Sequence, residues 1–513
     1  MASPKFTFPV LHDTRPEDHS LPAFMVSTTR GFLPRQEPVV ELPKEFAVLE
    51  SLLQRMPIKT LSGEPGLLAK FTFGETVLKE LPDLSPEVEK YKDDLVVMNA
   101  LYRDYSFLAS AYLFEPCHER HIRGEEYGLA RQSLPRCIAL PIVKVAELAG
   151  FKPFMEYAGS YALFNYRLED PARGLEYDNL RLVRAFEHGL DPTSSEAGFV
   201  LVHIAMVKES GALVKGAANM IESCMARDRE AFNDGLRLLV GGLSKVNGVM
   251  NTMWNRSKPQ GYTNFRTFIF GITSQSMFPN GVIYEGVSDE PMSFRGESGA
   301  NDSMIPMCDN LLQVQMPETP LTDILKDFRQ YRPGNHREFL EAVRDAASEA
   351  GVREFAKGDS ISAALYLQAL DQVRDFRWRH WCFTREYILK HTSHPTATGG
   401  SPIVTVSSPR TLPRRLLTGD SGCQTSSRRC SCRLPRHTST ASRSTESATL
   451  WRLSITSATR CRRRWPSTVG SGGLRPRRAK DGSVGLGARG RHMIPPIFDY
   501  LHVHVARHVV MSA

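Results

Sequence analysis

The sequence lacks the features that mark several large classes of protein. Nine cysteines among 513 residues are too few for a disulfide-stapled scaffold. No run approaches the roughly 18 consecutive apolar residues that a membrane helix needs. The N-terminus lacks the basic-then-apolar pattern of a secretory signal peptide, and we find no phosphate-binding glycine–lysine motif, no dinucleotide-binding glycine fingerprint and no HExxH zinc motif. We therefore expect a cytoplasmic protein without a membrane span.

Charge is distributed unevenly along the chain, although the whole sequence has a net charge of +8 and a pI of about 9.0. Residues 403–513 contain 20 of the 64 basic residues, almost all arginine, and 4 of the 56 acidic ones, a net charge of +16. Residues 1–402 therefore contain 44 basic and 52 acidic residues, a net charge of −8. A basic pI favours nucleic acid or an acidic membrane as a partner, but here it describes only the C-terminal segment.

Helical patterns account for most of the chain before residue 402. Residues 1–44 are rich in Pro and Thr and predict an extended lead-in, whereas helical spacing dominates from residue 45 to about 150. The polar stretch 167–192, which contains two prolines, predicts a long connector. No strand alternation is sustained before residue 402, so we expect a mainly α fold.

Two segments give the clearest helix signals. Thr193 and Glu196 have the spacing of a capping box, which predicts that a helix begins there. Between residues 229 and 254, one stripe of apolar residues steps by four and three positions, as a single buried helix face requires. Its members are Phe232, Leu236, Leu239, Leu243, Val246, Met250 and Met253.

The composition changes abruptly after Pro402. Residues 403–470 contain 24 Ser or Thr among 68 residues, and neither a helical nor a strand period persists. Such a segment cannot bury a core. Three interpretations are open: an out-of-frame or mis-spliced continuation, a disordered basic appendage, or a nucleic-acid-binding arm around CRRRWP (461–466).

Two histidines are candidates for chemistry because they lie on apolar helix faces. His380 stands within an apolar stripe, and His203 shares a helix face with Phe199. Each could be a core histidine satisfied by a neighbour. His380 could instead be the axial ligand of a haem, which needs one imidazole projecting from a rigid helix into an apolar slot. The other members of its stripe are Val373, Phe376, Phe383 and Tyr387.

Three further segments contain residues suited to ligand binding. Arg266, which lies between aromatic and apolar residues, could pair with a carboxylate at the edge of the core. It could instead clamp a substrate carboxylate in the bidentate geometry that Lys cannot match. The small polar loop 294–302 could pass close to a bound ligand. The run TATGGSP (396–402) could be a flexible loop or a cap of backbone N–H groups over an anion.

Together these segments resemble one family, the indoleamine 2,3-dioxygenases, and in particular those of fungi. Several unconnected motifs agree in the family's order over about residues 30–402, which makes the resemblance specific. The motifs are GFLPRQEPVVELP (31–43), SLPRCIALP (133–141), MEYAGSYALFNYR (155–167), LRLVRAFEHGLDPTSSEAGFVLVH (180–203), FPNGVIYEGV (278–287), FRGESGA (294–300), RPGNHREFL (332–340) and RDFRWRHWCFTREYILKHTSHPTATGGSP (374–402). The segment after about residue 405 does not resemble the family, in which a further helical stretch follows.

The resemblance implies a small helical domain over a larger helical domain that holds haem b. We expect the small domain at residues 45–166 and the haem-binding domain at residues 193–402. The connector 167–192 joins them, and residues 403–513 form a low-complexity basic tail that is disordered or out of frame.

The resemblance also implies roles for individual residues. His380 corresponds to the proximal ligand of the haem iron, Arg266 to the arginine that binds the carboxylate of L-tryptophan, and Ser298 to a serine beside the haem and its propionate. His203 stands where the mammalian enzymes have a serine. Related tryptophan 2,3-dioxygenases use a distal histidine to bond the indole N–H, so His203 is a further candidate for the reaction. The remaining substrate-binding candidates, in the aromatic walls, the indole pocket and the mobile loop, are Phe199, Tyr262, Tyr157, Ser160, Thr398, Gly399 and Gly400.

The activity implied by the resemblance is a haem-dependent dioxygenase that uses O2 to convert L-tryptophan, or a related indoleamine, to N-formylkynurenine. This is the first step of the kynurenine pathway, which leads to NAD. We expect a monomer and an electron donor that keeps the haem ferrous, with neither a membrane nor nucleic acid as a partner. One alternative is a catalytically silent haem-binding relative with a signalling role. The other is a nucleic-acid binder directed by the basic tail, whose binding would depend on salt.

Overall fold

Helices dominate the computed structural model, which describes residues 6–189, 191–392, 394 and 396–401. The predicted mainly α fold is thereby confirmed. The α-helices are α1 (Ala47–Arg55), α2 (Leu67–Lys70), α3 (Phe73–Glu80), α4 (Ser85–Glu89), α5 (Leu95–Ile122), α6 (Arg136–Ala149), α7 (Ser195–Val207), α8 (Ser210–Ala226), α9 (Arg229–Met250), α10 (Met253–Arg256), α11 (Pro259–Arg266), α12 (Met304–Leu311), α13 (Pro320–Phe328), α14 (Gly334–Ala350), α15 (Val352–Lys357) and α16 (Ser360–Phe383). Two short π-helical segments, Tyr157–Tyr161 and Thr384–Leu389, complete the elements that bear on the site.

Strands are short and few within the described ranges. Strand β1 (Ser133–Leu134) pairs in parallel with β4 (Ile283–Tyr284), and β2 (Tyr166–Leu168) pairs antiparallel with β3 (Leu180–Leu182). The second pair occupies much of the segment that the sequence predicted to be a connector. That segment therefore folds back on itself as a small ribbon before α7 begins.

Helix α5 is the long buried element of the N-terminal half. The side chain of Asp94 caps it by accepting hydrogen bonds from the backbone N–H groups of Val96 and Val97. Almost every side chain between Val96 and His118 is buried. Pro116 lies inside the helix and cannot donate a hydrogen bond to the carbonyl one turn earlier, at Tyr112. The guanidinium of Arg131 donates to that carbonyl instead, so the buried proline leaves no unpaired acceptor there.

Helix α9 confirms the stripe that its spacing predicted. All seven apolar positions of the stripe are buried, the last of them in α10. The helix packs against α8 on one side and α16 on the other. Asn247 joins α9 to α16, because its amide donates to the backbone carbonyl and the side-chain oxygen of Gln372, both at 3.0 Å. Through this packing α9 supports the helix that carries His380.

The predicted capping box at the start of α7 is wrong. Ser194, not Thr193, caps the helix, and its hydroxyl accepts a hydrogen bond from the backbone N–H of Ala197 at 3.1 Å. The Glu196 carboxylate is fully buried and accepts hydrogen bonds from the backbone N–H groups of Phe186 and Glu187 at 2.8 and 2.7 Å. A long-range contact therefore uses the glutamate that a capping box would need for the helix end.

Residues Ser195–Ala226, spanning α7 and α8, are the one stretch in the described part of the chain that is long and apolar enough to cross a membrane. In its most apolar window, 72% is buried inside the protein, as in a core helix. The absence of a membrane partner stays a prediction, as do the boundaries between the smaller and the larger helical domain. The predicted tail, residues 403–513, lies outside the described residues.

Candidate functional site

Helix α7 borders an interior space along one narrow face. From Glu196 to Val207 every residue is buried except Phe199 and His203, which are four positions apart and only partly buried. Residues four apart share a helix face. A helix enclosed on all sides but one therefore presents these two rings to a common space.

His203 presents a hydrogen-bond acceptor to that space. Its Nδ1 lies 2.9 Å from the backbone carbonyl oxygen of Phe199. Because a carbonyl can only accept, Nδ1 carries the proton and donates. Burial lowers the pKa of His203 to about 4, so the ring is neutral near pH 7 and Nε2 is left as an unprotonated acceptor.

The loop 294–302 closes the space opposite His203. A methyl group placed on Gly299 would lie 3.7 Å from His203 Nε2. Ser298 is partly buried, and its hydroxyl oxygen accepts a hydrogen bond from the backbone N–H of Ala300 at 3.3 Å. Its own O–H is therefore free to donate to an anion. Gly296 packs so tightly on the backbone of Gly271 that any side chain there would collide with it.

A continuous set of ring contacts joins His203 to Arg266. The ring of His203 lies 5.8 Å from that of Tyr157 and 4.9 Å from that of Phe199, and Phe199 lies 5.4 Å from Tyr262. The hydroxyl of Tyr262 adjoins the guanidinium of Arg266, whose charge opposes the rise in the tyrosine pKa that burial causes. Five of the residues that the sequence suggested are thus brought together.

Arg266 is a buried cation with unpaired hydrogen-bond donors. It is 1% exposed, and its guanidinium lies over the ring of Phe270 at 4.6 Å. One nitrogen, Nη2, donates to the backbone carbonyl of Thr396 at 3.2 Å, whereas Nε and Nη1 have no hydrogen-bond partner in the part of the chain that the structure describes. No carboxylate in the described ranges forms an ion pair with it, so the alternative of a pairing at the edge of the core is not supported. Unpaired N–H groups on a buried arginine suit an anionic ligand such as a carboxylate.

The segment 396–401 lies against Arg266 and the start of the loop 294–302. The backbone N–H of Gly271 donates to the carbonyl of Thr398 at 2.9 Å, and Arg295 donates to the carbonyl of Gly399 at 3.0 Å. Gly399 has no room for a side chain because the ring of Phe328 occupies that position. Gly400 adopts φ +86°, which favours glycine. This segment therefore covers the end of the site at which Arg266 lies.

The side chain of His380 is accessible to solvent, although protein surrounds it on most sides. The residue is exposed, whereas Val373 and Tyr387 on the same stripe are buried, and yet burial lowers the pKa of its imidazole. Both observations hold for a side chain that lines an interior space. Among the described residues, neither ring nitrogen has a hydrogen-bond partner. A core histidine satisfied by a neighbour would have one, so that alternative is not supported. The charge of His380 also lowers the pKa of His203, so the two imidazoles lie within electrostatic reach of each other.

Short contacts hold α7 and the end of α16 in register. The Cα of Gly198 packs against the backbone carbonyl of Arg256, where no side chain would fit. The hydroxyl of Tyr387, in the π-helical segment after α16, donates to the carbonyl of Ser257 at 2.7 Å. Residues 256–257 therefore fix the helix that carries Phe199 and His203 relative to the one that carries His380.

The hydroxyl groups of two predicted pocket residues are buried, and one of them is already hydrogen-bonded. The Tyr157 ring contacts His203, but its hydroxyl is buried without a partner. The hydroxyl of Ser160 donates to the carbonyl of Glu156 at 2.7 Å and accepts from the N–H of the same residue at 2.9 Å, so it is occupied within the π-helical segment. Their part in substrate binding stays a prediction.

The residues present fit a haem held by a single axial ligand. Such a group needs one imidazole projecting from a helix into an apolar space. Two other imidazoles of the described residues, those of His118 and His336, also have a buried ring nitrogen without a hydrogen-bond partner, but both residues are 1% exposed and lie against phenylalanine rings. His380 differs from them because it is exposed and lies on the apolar stripe of α16.

Sequence reasoning missed two features of the site. Glu297, inside the loop 294–302, is 3% exposed. A single acidic residue among glycines and serines was the available signal. His394 Nε2 lies 3.0 Å from the side-chain oxygen of Gln275, whose amide donates to the carbonyl of Ala397 at 2.8 Å. This link fastens the covering segment to the body of the protein.

Comparisons with known proteins bear on the family to which the chain belongs. A family model described as indoleamine 2,3-dioxygenase matches residues 20–424, so the match extends about 20 residues beyond the motifs noted in the sequence. The chain is 26% identical over 300 residues to human indoleamine 2,3-dioxygenase 2, covering 58% of this chain and 69% of that protein. It is 26% identical over 372 residues to the indoleamine 2,3-dioxygenase of Saccharomyces cerevisiae, covering 65% and 77%. It is also 28% identical over 378 residues to a protein of the abalone Haliotis diversicolor named myoglobin, covering 72% and 90%.

Proposed function

The chain belongs to the indoleamine 2,3-dioxygenase family, and from that premise we propose that it opens the indole ring of L-tryptophan with O2. The C2–C3 bond of the indole breaks, both oxygen atoms of O2 enter the organic product, and N-formylkynurenine results. The observation that carries the proposal is the pairing of a buried arginine that has two unpaired N–H groups with a neutral histidine acceptor at the other end of one row of aromatic rings.

Haem b would be held by His380, the exposed imidazole that lines the interior space. When bound, the haem supplies the iron at which O2 is activated. Ser298, with its free O–H, is placed to donate to a propionate. The aromatic and apolar walls around His203 and Phe199 provide the low-dielectric surroundings in which these contacts are strong.

Substrate positioning is the work of the chain's own residues. Arg266 donates two parallel N–H groups to the substrate carboxylate, the second N–H of Nη2 and that of a neighbouring unpaired nitrogen, and His203 accepts the indole N–H at Nε2. Phe199 and Tyr262 supply the aromatic walls between these two ends. Binding both ends of the molecule fixes its orientation before the reaction, which lowers the entropic part of the activation barrier.

Water is excluded at the carboxylate end by the covering segment. Thr398 and Gly399 lie over Arg266 and are fastened through Gly271 and Arg295. Closing the segment around a bound carboxylate strengthens the ion pair by removing solvent. We further propose that the protein acts as a cytoplasmic monomer and depends on an external electron donor that keeps the haem ferrous. Its product would enter the kynurenine pathway toward NAD.

The test is a measurement of haem binding and turnover on the purified full chain. We expect a Soret band and, with a reductant, O2 and L-tryptophan, formation of N-formylkynurenine. The His380→Ala variant should lose stable haem binding, whereas His118→Ala, which removes an enclosed imidazole, should keep it. A haem-free protein, or one that binds haem normally after His380→Ala, would contradict the assignment.

A second candidate function is favoured by one relative. The abalone protein that covers 72% of this chain is named myoglobin, which indicates a haem protein that is not called an oxygenase. A catalytically silent haem-binding protein with a signalling role would share the Soret band. It would give no N-formylkynurenine, so turnover separates the two candidates.

A further inference from the structure

Four successive carbonyl groups of the covering segment, residues 396–401, accept hydrogen bonds from other parts of the chain. The bonds to the carbonyls of residues 396, 397, 398 and 399 measure 3.2, 2.8, 2.9 and 3.0 Å, and their donors are, in that order, Arg266, Gln275, Gly271 and Arg295. Three of these donors lie at the end of α11 or just after it. The fourth, Arg295, belongs to the loop 294–302 and connects the segment to a different part of the fold.

Arg295 bridges the covering segment and the end of α13. Its Nη1 donates to the carbonyl of Gly399, while its Nε forms an ion pair with the carboxylate of Asp327 at 2.5 Å. The guanidinium also lies over the ring of Phe328, 5.1 Å from the ring centre. Two nitrogens of one planar group therefore hold two elements at a fixed spacing, which the single ammonium group of a lysine does not reproduce.

The turn of the covering segment is packed against these same groups. A methyl group placed on Gly399 would lie 2.2 Å from the ring of Phe328, and one placed on Gly400 would lie 3.4 Å from Nη1 of Arg295. The position of the turn against α13 therefore depends on where Arg295 and Phe328 lie.

A ligand bound at Arg266 would be enclosed by the covering segment. Arg266 is 1% exposed, and the segment lies against it through the carbonyl of Thr396. A buried group exchanges its ligand only when part of its surroundings moves aside. The segment is a short turn closed by its own hydrogen bonds, from the N–H of Ala397 to the carbonyl of Ser401 and from the N–H of Gly400 to the carbonyl of Ala397. It can therefore move as a unit once its bonds to the rest of the chain break.

We propose that Arg295 is a positioning residue that couples the covering segment to α13, and that its ion pair with Asp327 slows the release of bound L-tryptophan. The part that concerns release rests on the proposed function, because it presupposes that L-tryptophan binds at Arg266. Arg295 acts through the segment and not by contact with the substrate. The coupling itself depends only on the contacts of Arg295 and can be tested without a substrate.

The ion pair between Arg295 and Asp327 gives the coupling a dependence on salt. The Arg295 side chain is 10% exposed, whereas that of Asp327 is 45% exposed. Salt screens a partly exposed ion pair much more than a buried one. We therefore expect the release of L-tryptophan from the wild-type protein to become faster as the ionic strength rises. Asp327→Asn should lose this dependence.

The first experiment measures the release of L-tryptophan from the reduced, haem-loaded full chain under nitrogen, so that no turnover occurs. Dilution in a stopped-flow instrument, followed by the haem spectrum, gives the dissociation rate. We expect this rate to rise roughly tenfold in Arg295→Met, which loses the hydrogen bond and the ion pair, and roughly threefold in Asp327→Asn, which loses the ion pair alone. Arg295→Lys should lie between the wild-type protein and Arg295→Met. The matched control is Asp323→Asn, which removes a more exposed carboxylate one turn earlier in α13 and should leave the rate unchanged.

The second experiment needs no substrate. Hydrogen exchange of the ligand-free full chain as purified, measured by mass spectrometry, reports the opening of the peptide that contains residues 396–401. We expect exchange in this peptide to be faster in Asp327→Asn and Arg295→Met than in the wild-type protein, and unchanged in Asp323→Asn. Asp327 is linked to the covering segment through Arg295, so an effect of Asp327→Asn on this peptide is the signature of the coupling. A carboxylate that only stabilised α13 would change the exchange of α13 alone.

The outcomes separate this inference from the proposed function. If the wild-type protein does not bind L-tryptophan, the proposed function and the effect on release both fail, and hydrogen exchange still decides the coupling. If L-tryptophan binds but exchange at residues 396–401 is unchanged in Asp327→Asn, the coupling is overturned and the proposed function stands. Faster exchange with an unchanged release rate overturns the effect on release. Faster exchange together with faster release that no longer depends on salt supports the inference. A folding failure of Arg295→Met leaves these outcomes intact, because Asp327→Asn alone distinguishes them.

Discussion

Replacing Arg266 by alanine gives the sharpest test of how the site holds its substrate. The guanidinium offers Nε–H and Nη1–H without a protein partner and is 1% exposed. A charge-assisted hydrogen bond in such surroundings contributes about 1.5 kcal/mol or more, so losing two costs about 3 kcal/mol. Since each 1.4 kcal/mol is a factor of ten, we expect the KM for L-tryptophan to rise roughly 150-fold.

We expect Arg266→Ala to weaken substrate binding and to leave haem binding unchanged. Arg266 lies on α11 and contacts Phe270 and Thr396, whereas the proposed haem ligand is on α16. We therefore expect the Soret absorbance per protein to stay unchanged in Arg266→Ala. The assay is steady-state formation of N-formylkynurenine over a range of L-tryptophan concentrations, with the haem content measured on the same sample. Arg237→Ala, which removes an exposed arginine of α9, is the matched control.

A decarboxylated ligand decides whether the carboxylate is the group that Arg266 recognises. Tryptamine keeps the indole and the amine, so its binding should change little in Arg266→Ala. An equal loss of affinity for tryptamine and L-tryptophan, or an unchanged KM at limiting L-tryptophan, would refute the reasoning. Arg266→Lys keeps the charge but lacks the planar pair of donors. Its KM for L-tryptophan should therefore lie between the values of the wild-type protein and of Arg266→Ala.

Three further predictions concern neighbouring groups. His203→Ala should weaken L-tryptophan binding roughly fivefold to tenfold but leave 1-methyl-L-tryptophan, which has no indole N–H, unaffected in the same titration. Gly399→Ala should raise the KM with unchanged haem content, because its methyl group would meet the ring of Phe328; Ala397→Gly is the control. Burial raises the pKa of Glu196 from 4.5 to about 8, so the folded state holds a proton that the unfolded state gives up. Stability from this group is therefore full below about pH 4.5 and falls as pH rises toward 8. Denaturant unfolding at several pH values should show a shallower fall in Glu196→Gln, by up to about 1.4 kcal/mol per pH unit.

The sequence predicted those features of the fold that depend on local spacing. The stripe from Phe232 to Met253 is buried as expected, because a period of 3.6 residues and an apolar face determine which side of a helix packs inward. The start of α7 was placed at the wrong residue for a non-local reason. Glu196 accepts the N–H groups of Phe186 and Glu187, a contact that no residue spacing at the helix end reveals.

The candidate site was predictable only in its residue types. His380, His203 and Arg266 were singled out, but the sequence could not distinguish partnered from unpartnered side chains. That distinction depends on which atoms from distant segments arrive at hydrogen-bond distance. Glu297 shows the limit most clearly, since its burial follows from the packing of Gly296 on Gly271 and not from any period in its own loop.

Two buried arginines show why the missing partner, and not the residue type, marks the site. Arg184 is 6% exposed, and its guanidinium is fully occupied by the carboxylates of Glu50 and Asp104. Arg266 is buried at least as deeply, but among the described residues no carboxylate pairs with it, and its contacts are the carbonyl of Thr396, the ring of Phe270 and the hydroxyl of Tyr262. Leaving donors of a buried cation unpaired lowers stability, and the cation–π contact of Arg266 with Phe270 offsets only part of that loss. The same loss becomes binding energy when a carboxylate arrives, because the ligand then satisfies donors that are already fixed in place. Arg184 therefore stabilises the fold through its ion pairs, whereas the proposed role of Arg266 is to bind a ligand.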